Sequence, residues 1–201
     1  MKKQILVLIA IIFVAIAVKA QGYSIGDVAT DFKLKNVDGK MVSLADYKNA
    51  KGFIVIFTCN PCPFAKLYEQ RILDLNKKYA SQGFPVVAIN PNDPTLSKED
   101  TFDKMQERAK NRNYTFPYLV DESQEITKAY GAKATPHTFI LKKEAGKYIV
   151  EYIGAIDNDA ENNNESKTKY VEEAINAIQK GKKPVTANTK AIGCSIKWKK
   201  A

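Results

Sequence analysis

Cysteine is scarce, with three in 201 residues. A small domain stapled by disulfides carries more of them in a shorter chain, so this one must depend on an apolar core, and it is long enough to build one. Histidine occurs once, at His137, which leaves no second imidazole for a metal centre. Acids are also in deficit: 22 Asp and Glu against 31 Lys and Arg give a formal charge of +9. The lysines are scattered in pairs such as Lys77-Lys78 and Lys199-Lys200. They form no stripe interleaved with aromatics, so nucleic acid is excluded as the expected partner. No apolar run reaches the roughly 20 residues of a membrane-spanning helix. The run from Ile5 to Val18 stops at 14, no cysteine follows it to take a lipid, and no internal repeat is visible.

That run has another reading. Met1-Lys2-Lys3 is basic, the apolar stretch follows, and Val18-Lys19-Ala20 ends in a small residue. This is the layout of a secretory leader, with cleavage expected before Gln21. A retained N-terminal anchor is the weaker alternative. Loss of residues 1–20 removes three lysines and no acid, lowering the charge from +9 to +6. The expected organisation is a leader over 1–20, one domain over 21–181 and a basic tail over 182–201. Export to a periplasmic or extracellular space permits disulfide chemistry, and an odd cysteine count leaves a free thiol or an intermolecular partner.

The most informative stretch is Phe57-Thr58-Cys59-Asn60-Pro61-Cys62-Pro63. Phe53 to Phe57 is a continuous apolar run rich in β-formers, as a strand buried on both faces requires. Phe64, Leu67, Tyr68, Ile72, Leu75 and Tyr79 then recur at helical spacing up to Gly83. Pro61 suits the first turn of that helix. Three residues of helix rise about 4.5 Å, inside the 4.4–6.8 Å Cα window of a disulfide. Unpaired N–H groups at the helix start would stabilise a thiolate at Cys59, with Cys62 one turn deeper.

Elsewhere, Phe32 to Leu44 around Asp38-Gly39 reads as a hairpin, and Phe84 to Ile89 as a second buried strand. Ser97-Lys98-Glu99-Asp100 resembles a capping box opening a helix with Phe102, Met105 and Ala109. Pro117 to Val120 is a short strand, and Ser123 caps a short helix ending at Gly131. His137 to Leu141 and Tyr148 to Ile153 make a second hairpin. A last helix spans about 168–180, with Val171, Ala174, Ile175 and Ile178 inward. Strands alternating with helices, then a terminal hairpin and helix, predict an α/β sheet covered on both faces.

With Asp31-Phe32-Lys33-Leu34, Cys59-Asn60-Pro61-Cys62-Pro63 and Ala134-Thr135-Pro136-His137-Thr138-Phe139 in this order, residues 24–180 resemble the redoxin (AhpC/TSA-like) branch of the thioredoxin-like fold. They lie near exported thiol–disulfide oxidoreductases of the TlpA/ResA kind. The resemblance implies a central mixed β-sheet flanked by helices, an N-terminal β-hairpin extension and a C-terminal tail. It makes Cys59 the exposed attacking thiol, Cys62 the resolving one, and Asn60 and Pro61 their supports. Thr135 and Pro136 become a cis-proline loop that meets the substrate. The implied partners are a disulfide-containing protein and a thiol donor protein, with no cofactor, no metal and no lasting membrane span.

The chain departs from thioredoxins at two points: Thr58 replaces the usual tryptophan, and no acid lies between Phe53 and Thr58. Glu69 and Lys66 could act on the thiols but read as surface groups, leaving the proton acceptor unassigned. A thiol peroxidase is the alternative function, although the Pro-x-x-x-Thr/Ser-x-x-Cys signature of peroxiredoxins precedes neither Cys59 nor Cys62. A Sco-like copper site at His137, or a purely structural module, ranks lower; His137 reads as a packed residue. Cys194 is an accessory thiol, regulatory or a second resolving cysteine, or simply buried in a tail that packs through Ile192, Ile196 and Trp198.

Overall fold

The computed structural model describes residues 22–200. The expected leader lies outside them. Its centre is β4 (Gly52–Phe57), all six residues of which are buried. β4 runs parallel to β5 (Val86–Asn90) and antiparallel to β8 (His137–Glu144). On one side β5 pairs in parallel with β6 (Tyr118–Val120), which leads to the hairpin of β2 (Lys33–Asn36) and β3 (Met41–Ser43). On the other side β8 turns back into β9 (Lys147–Gly154), edged by β1 (Val28–Ala29). The sheet order is β1-β9-β8-β4-β5-β6-β2-β3.

The two-residue period of a strand splits the core. Ile54 and Ile56 of β4 face α1 (Pro63–Tyr79), α2 (Phe102–Asn111) and α4 (Tyr170–Gln179), meeting Tyr68, Ile72, Met105 and Ile175. Phe53, Val55 and Phe57 face the opposite layer, where α3 (Glu125–Tyr130) contributes Tyr130 and the N-terminal segment contributes Phe32 and Leu44. Phe139 meets Phe57 and Tyr130 edge to face, and Phe57 and Tyr130 are tilted against each other, with centroids 5.4 to 5.7 Å apart. Each such buried side chain stabilises by about 1.5–3 kcal/mol over leaving it exposed. This is the thioredoxin-like α/β arrangement that the resemblance implies, a mixed sheet with helices on both faces.

Two helix starts differ from the reading of the sequence. α1 begins at Pro63, not near Pro61, with Cys62 as its N-cap. Both prolines suit a first turn; Asn60 decides between them, because buried hydrogen bonds hold it in the preceding loop. α2 begins after Thr101, whose hydroxyl accepts from Lys104 N. Ser97 instead donates to Asp100 at 2.6 Å, because that carboxylate is buried and gathers donors around itself. Residues 98–100 therefore form a separate 3-10 turn.

The tail folds back across the domain. Thr189 docks beside Gly154: its hydroxyl accepts from Ala155 N at 3.0 Å and bonds Tyr152 Oη at 2.6 Å. Next, β10 (Cys194–Ser195) pairs antiparallel with β7 (Ala134–Thr135). Beyond it, Asp93 N and Gln124 Nε2 donate to the Lys197 carbonyl, and Lys197 N donates to Asn92 Oδ1, each at 2.9 Å. Ile196 is the apolar anchor. Ile192 and Trp198, expected to pack with it, remain 38% and 39% exposed. Backbone pairing, more than apolar burial, seats this segment.

Candidate active site

Cys59 follows the C-terminal end of β4, where Thr58 N donates to Ile89 O at 2.8 Å. The loop after it hangs on one buried carboxylate. Asp100 Oδ1 accepts from Asn60 N and Asn90 Nδ2, and its Oδ2 from Asn92 Nδ2 and Ser97 Oγ, all between 2.6 and 2.8 Å. Asn60 also accepts from Tyr118 Oη at 2.9 Å and donates to Glu99 O at 2.7 Å. A charged acceptor with four donors is strongly held, so the position of Cys59 is set by residues some 40 positions downstream.

The three sulfurs meet here, in a pairing the spacing did not announce. Cys62 and Cys194, 132 residues apart in sequence, form a disulfide with Cα atoms 6.0 Å apart. Cys59 is a free, buried thiol. Thr135 touches both members of the motif: its Oγ1 lies 3.0 Å from Cys59 Sγ, and its carbonyl oxygen 3.2 Å from Cys62 Sγ. The Thr135–Pro136 peptide bond is cis. Pro61 is half-buried beside the cap.

The expected exposure and placement of Cys59 are corrected. Cys59 is only 4% exposed, and it is Cys62, 3% exposed, that stands at the helix N-terminus. Burial pushes the Cys59 thiol above its ordinary pKa. The Thr135 hydroxyl draws it back, the Asp100 anion raises it again, and Cys62 N–H and the Asn92 amide lower it. The sulfur thus faces three donors able to receive a thiolate, within a shell that disfavours charge. Cys194, part-exposed, covers the pair.

Glu69 is not the surface acid expected. It is buried, accepting from Arg108 Nε at 2.8 Å and Tyr114 Oη at 2.7 Å, with Arg112 at 3.0 Å. It also lines, with Cys59, Thr58 and Tyr114, a cavity of about 10 Å³, the size of a single water site. Lys66 is exposed, as read. His137 is buried, accepts from Lys133 N at 3.2 Å and packs on Phe139. Burial, and then the Lys133 charge, lower its pKa to about 4, so it is neutral near pH 7. Among the described residues no group of three or more His, Cys, Asp or Glu is placed to hold a metal ion.

Asp100, Asn92 and Gln124 were missed by sequence reasoning. Their partners lie far along the chain, and polar residues in the Asn90-to-Asp100 loop look locally like turn formers. Gly193, just before Cys194, was also passed over. A β-carbon there would meet Thr135 O at 2.3 Å, so only glycine allows this approach.

Residues 25–151 match the AhpC/TSA family. Over 159 residues the chain is 29% identical to the thiol-disulfide oxidoreductase ResA of Geobacillus thermodenitrificans (strain NG80-2), covering 71% of this chain and 85% of that protein. Among solved structures, a hypothetical protein from Sinorhizobium meliloti 1021 superposes with TM-score 0.81 at 35% identity, covering 90% of this chain and 97% of the other. A conserved protein from Geobacillus kaustophilus superposes with TM-score 0.80 at 38% identity, covering 89% and 94%.

Proposed function

The chain belongs to the AhpC/TSA family, and from that premise we propose that it is an exported thiol–disulfide oxidoreductase that reduces protein disulfides through Cys59 and Cys62. The observation that carries this is the meeting of both motif sulfurs with Thr135 at one point. The similarity to ResA supports the reaction class. The basic, apolar, small-residue order of positions 1–20 supports a leader removed before Gln21, leaving the domain over 21–181 and the tail over 182–201. Among the described residues no helix is long and apolar enough to cross a membrane.

In the proposed reaction the tail moves aside and the Cys59 thiolate attacks one sulfur of the substrate disulfide. The other substrate sulfur leaves and takes a proton. Thr135 Oγ1, Cys62 N–H and the Asn92 amide hold the charge on Cys59 before attack. The substrate backbone lies along Ala134 and Thr135 beside Pro136, adding as a strand to the ladder that β10 vacates. Cys62, its thiolate stabilised by the start of a 17-residue helix, then attacks Cys59 Sγ. That releases the second substrate thiol and leaves a Cys59–Cys62 disulfide. A thiol donor protein returns the two electrons.

The test is turbidimetric reduction of insulin with dithiothreitol as donor. Cys59→Ser should drop to the uncatalysed background, and a variant that kept the native rate would end the proposal. Stopped-flow mixing with peroxide provides the contrast: rapid, saturable loss of one thiol with poor insulin reduction would assign a peroxidase instead.

A further inference from the structure

The sulfurs are ranked by depth. Cys59 and Cys62 are buried, whereas Cys194 alone is part-exposed. The disulfide therefore has one buried end, at the start of α1, and one part-exposed end. Thiol–disulfide exchange requires a thiolate to reach the sulfur it attacks, so an external dithiol has access on the Cys194 side. The segment carrying Cys194 also lies antiparallel along Ala134–Thr135, the backbone that the proposed function reserves for an incoming strand. The tail thus sits where a substrate would sit, but is joined to Cys62 and not to Cys59.

We propose that Cys194 is a third redox residue, which takes the disulfide from the buried pair and presents it to the electron donor. This rests on the proposed function, in which substrate reduction leaves a Cys59–Cys62 disulfide. The Cys194 thiolate attacks Cys62 Sγ; the Cys62–Cys194 bond forms, the Cys59–Cys62 bond breaks, and Cys59 leaves as a thiolate. The proton given up by Cys194 ends on Cys59, whose thiol burial holds above its ordinary pKa. No electrons are gained or lost in this exchange. The product is the arrangement observed, a free Cys59 beside Cys62–Cys194.

Regeneration then starts at the surface. A donor dithiol attacks Cys194 Sγ, and Cys62 leaves as a thiolate at the N-terminus of α1, a favourable place for a leaving anion. The donor's second thiol displaces Cys194, giving an oxidised donor and three reduced cysteines. Reducing equivalents enter without uncovering Cys59. Substrate must displace β10 to enter, so the oxidised tail also shuts out a second substrate until the donor has acted.

The decisive experiment needs no substitution. Fully reduced protein is oxidised with one equivalent of diamide, acid-quenched at intervals, alkylated and mapped by mass spectrometry without reduction. Cys59–Cys62 should appear first and decay into Cys62–Cys194 at the rate the latter grows. A Cys59–Cys62 bond that persists, with Cys194 alkylated, overturns the relay. In a second arm, thioredoxin serves as donor to oxidised protein. Cys194→Ser, which should stop at Cys59–Cys62, should be reduced about tenfold more slowly than the wild type, and equal rates also overturn the relay. Insulin reduction is scored separately: its absence beside a working relay strikes the proposed function, and its presence beside a persistent Cys59–Cys62 strikes the relay alone.

Discussion

Gly193→Ala tests how closely the tail must lie to the site. The added β-carbon would sit 2.3 Å from Thr135 O, 2.6 Å from Thr135 C and 2.9 Å from Pro136 N, all backbone atoms. Cβ contacts below 3.0 Å are essentially never found, so the two segments must part by at least 0.7 Å (3.0 less 2.3). Thr135 is fully buried and bonded to Cys59, which makes the tail the side that yields. Overpacking of this kind costs about 1–3 kcal/mol, a reduction of roughly 5- to 150-fold in the docked population. The assay is equilibration in a glutathione buffer followed by disulfide mapping. The Cys62–Cys194 fraction should fall, relative to Cys59–Cys62, by a factor in that range. A ratio within twofold of wild type would refute the reasoning, since the short approach at Gly193 would then play no part in the pairing.

Four further perturbations address the surrounding network. His137 has a folded-state pKa of about 4 against 6.5 in the unfolded chain, so the unfolded state takes up the proton first; stability is complete above pH 6.5 and declines by up to about 3 kcal/mol as pH falls to 4. Urea unfolding across that window should show the decline, and His137→Gln should flatten it. Glu69→Ala leaves Arg108, only 16% exposed on its side chain, without its carboxylate; the loss in urea-unfolding stability should be about 3 kcal/mol. Arg112→Ala, acting at the exposed side of the same acid, should cost about 1 kcal/mol or less. Asp100→Asn removes an anion that raises the Cys59 pKa, so the pH profile of Cys59 alkylation by iodoacetamide in the reduced protein should move down; a move upward would contradict the assigned cause.

Elements with strong local patterns could be read without coordinates. The apolar run at Phe53–Phe57, the helical spacing from Phe64 to Tyr79 and the inward set Val171, Ala174, Ile175 and Ile178 all specify their own environment. Where two local signals competed, a distant contact chose between them. Pro61 and Pro63 could each begin α1, and the bonds from Asn60 to Asp100, Glu99 and Tyr118 settled on Pro63. The odd cysteine count was plain, but the pairing was not. Nothing within ten residues of Cys194 says that it will lie beside Thr135, because that depends on the tail crossing the domain. Glu69 was read as solvated because its partners, Arg108, Arg112 and Tyr114, come from α2 and the residues just beyond it. Polar burial is a property of tertiary packing, which periodicity does not carry.

The docking of Thr189 beside Gly154 limits how far Cys194 can stray once the S–S bond opens. Thr189 precedes Cys194 by five residues, and a fully stretched chain of that length reaches about 17 Å. While that peg holds, the freed sulfur is on a short leash, with an effective concentration near its partner in the millimolar range. Reclosure is then a local event that dilution of the protein does not slow.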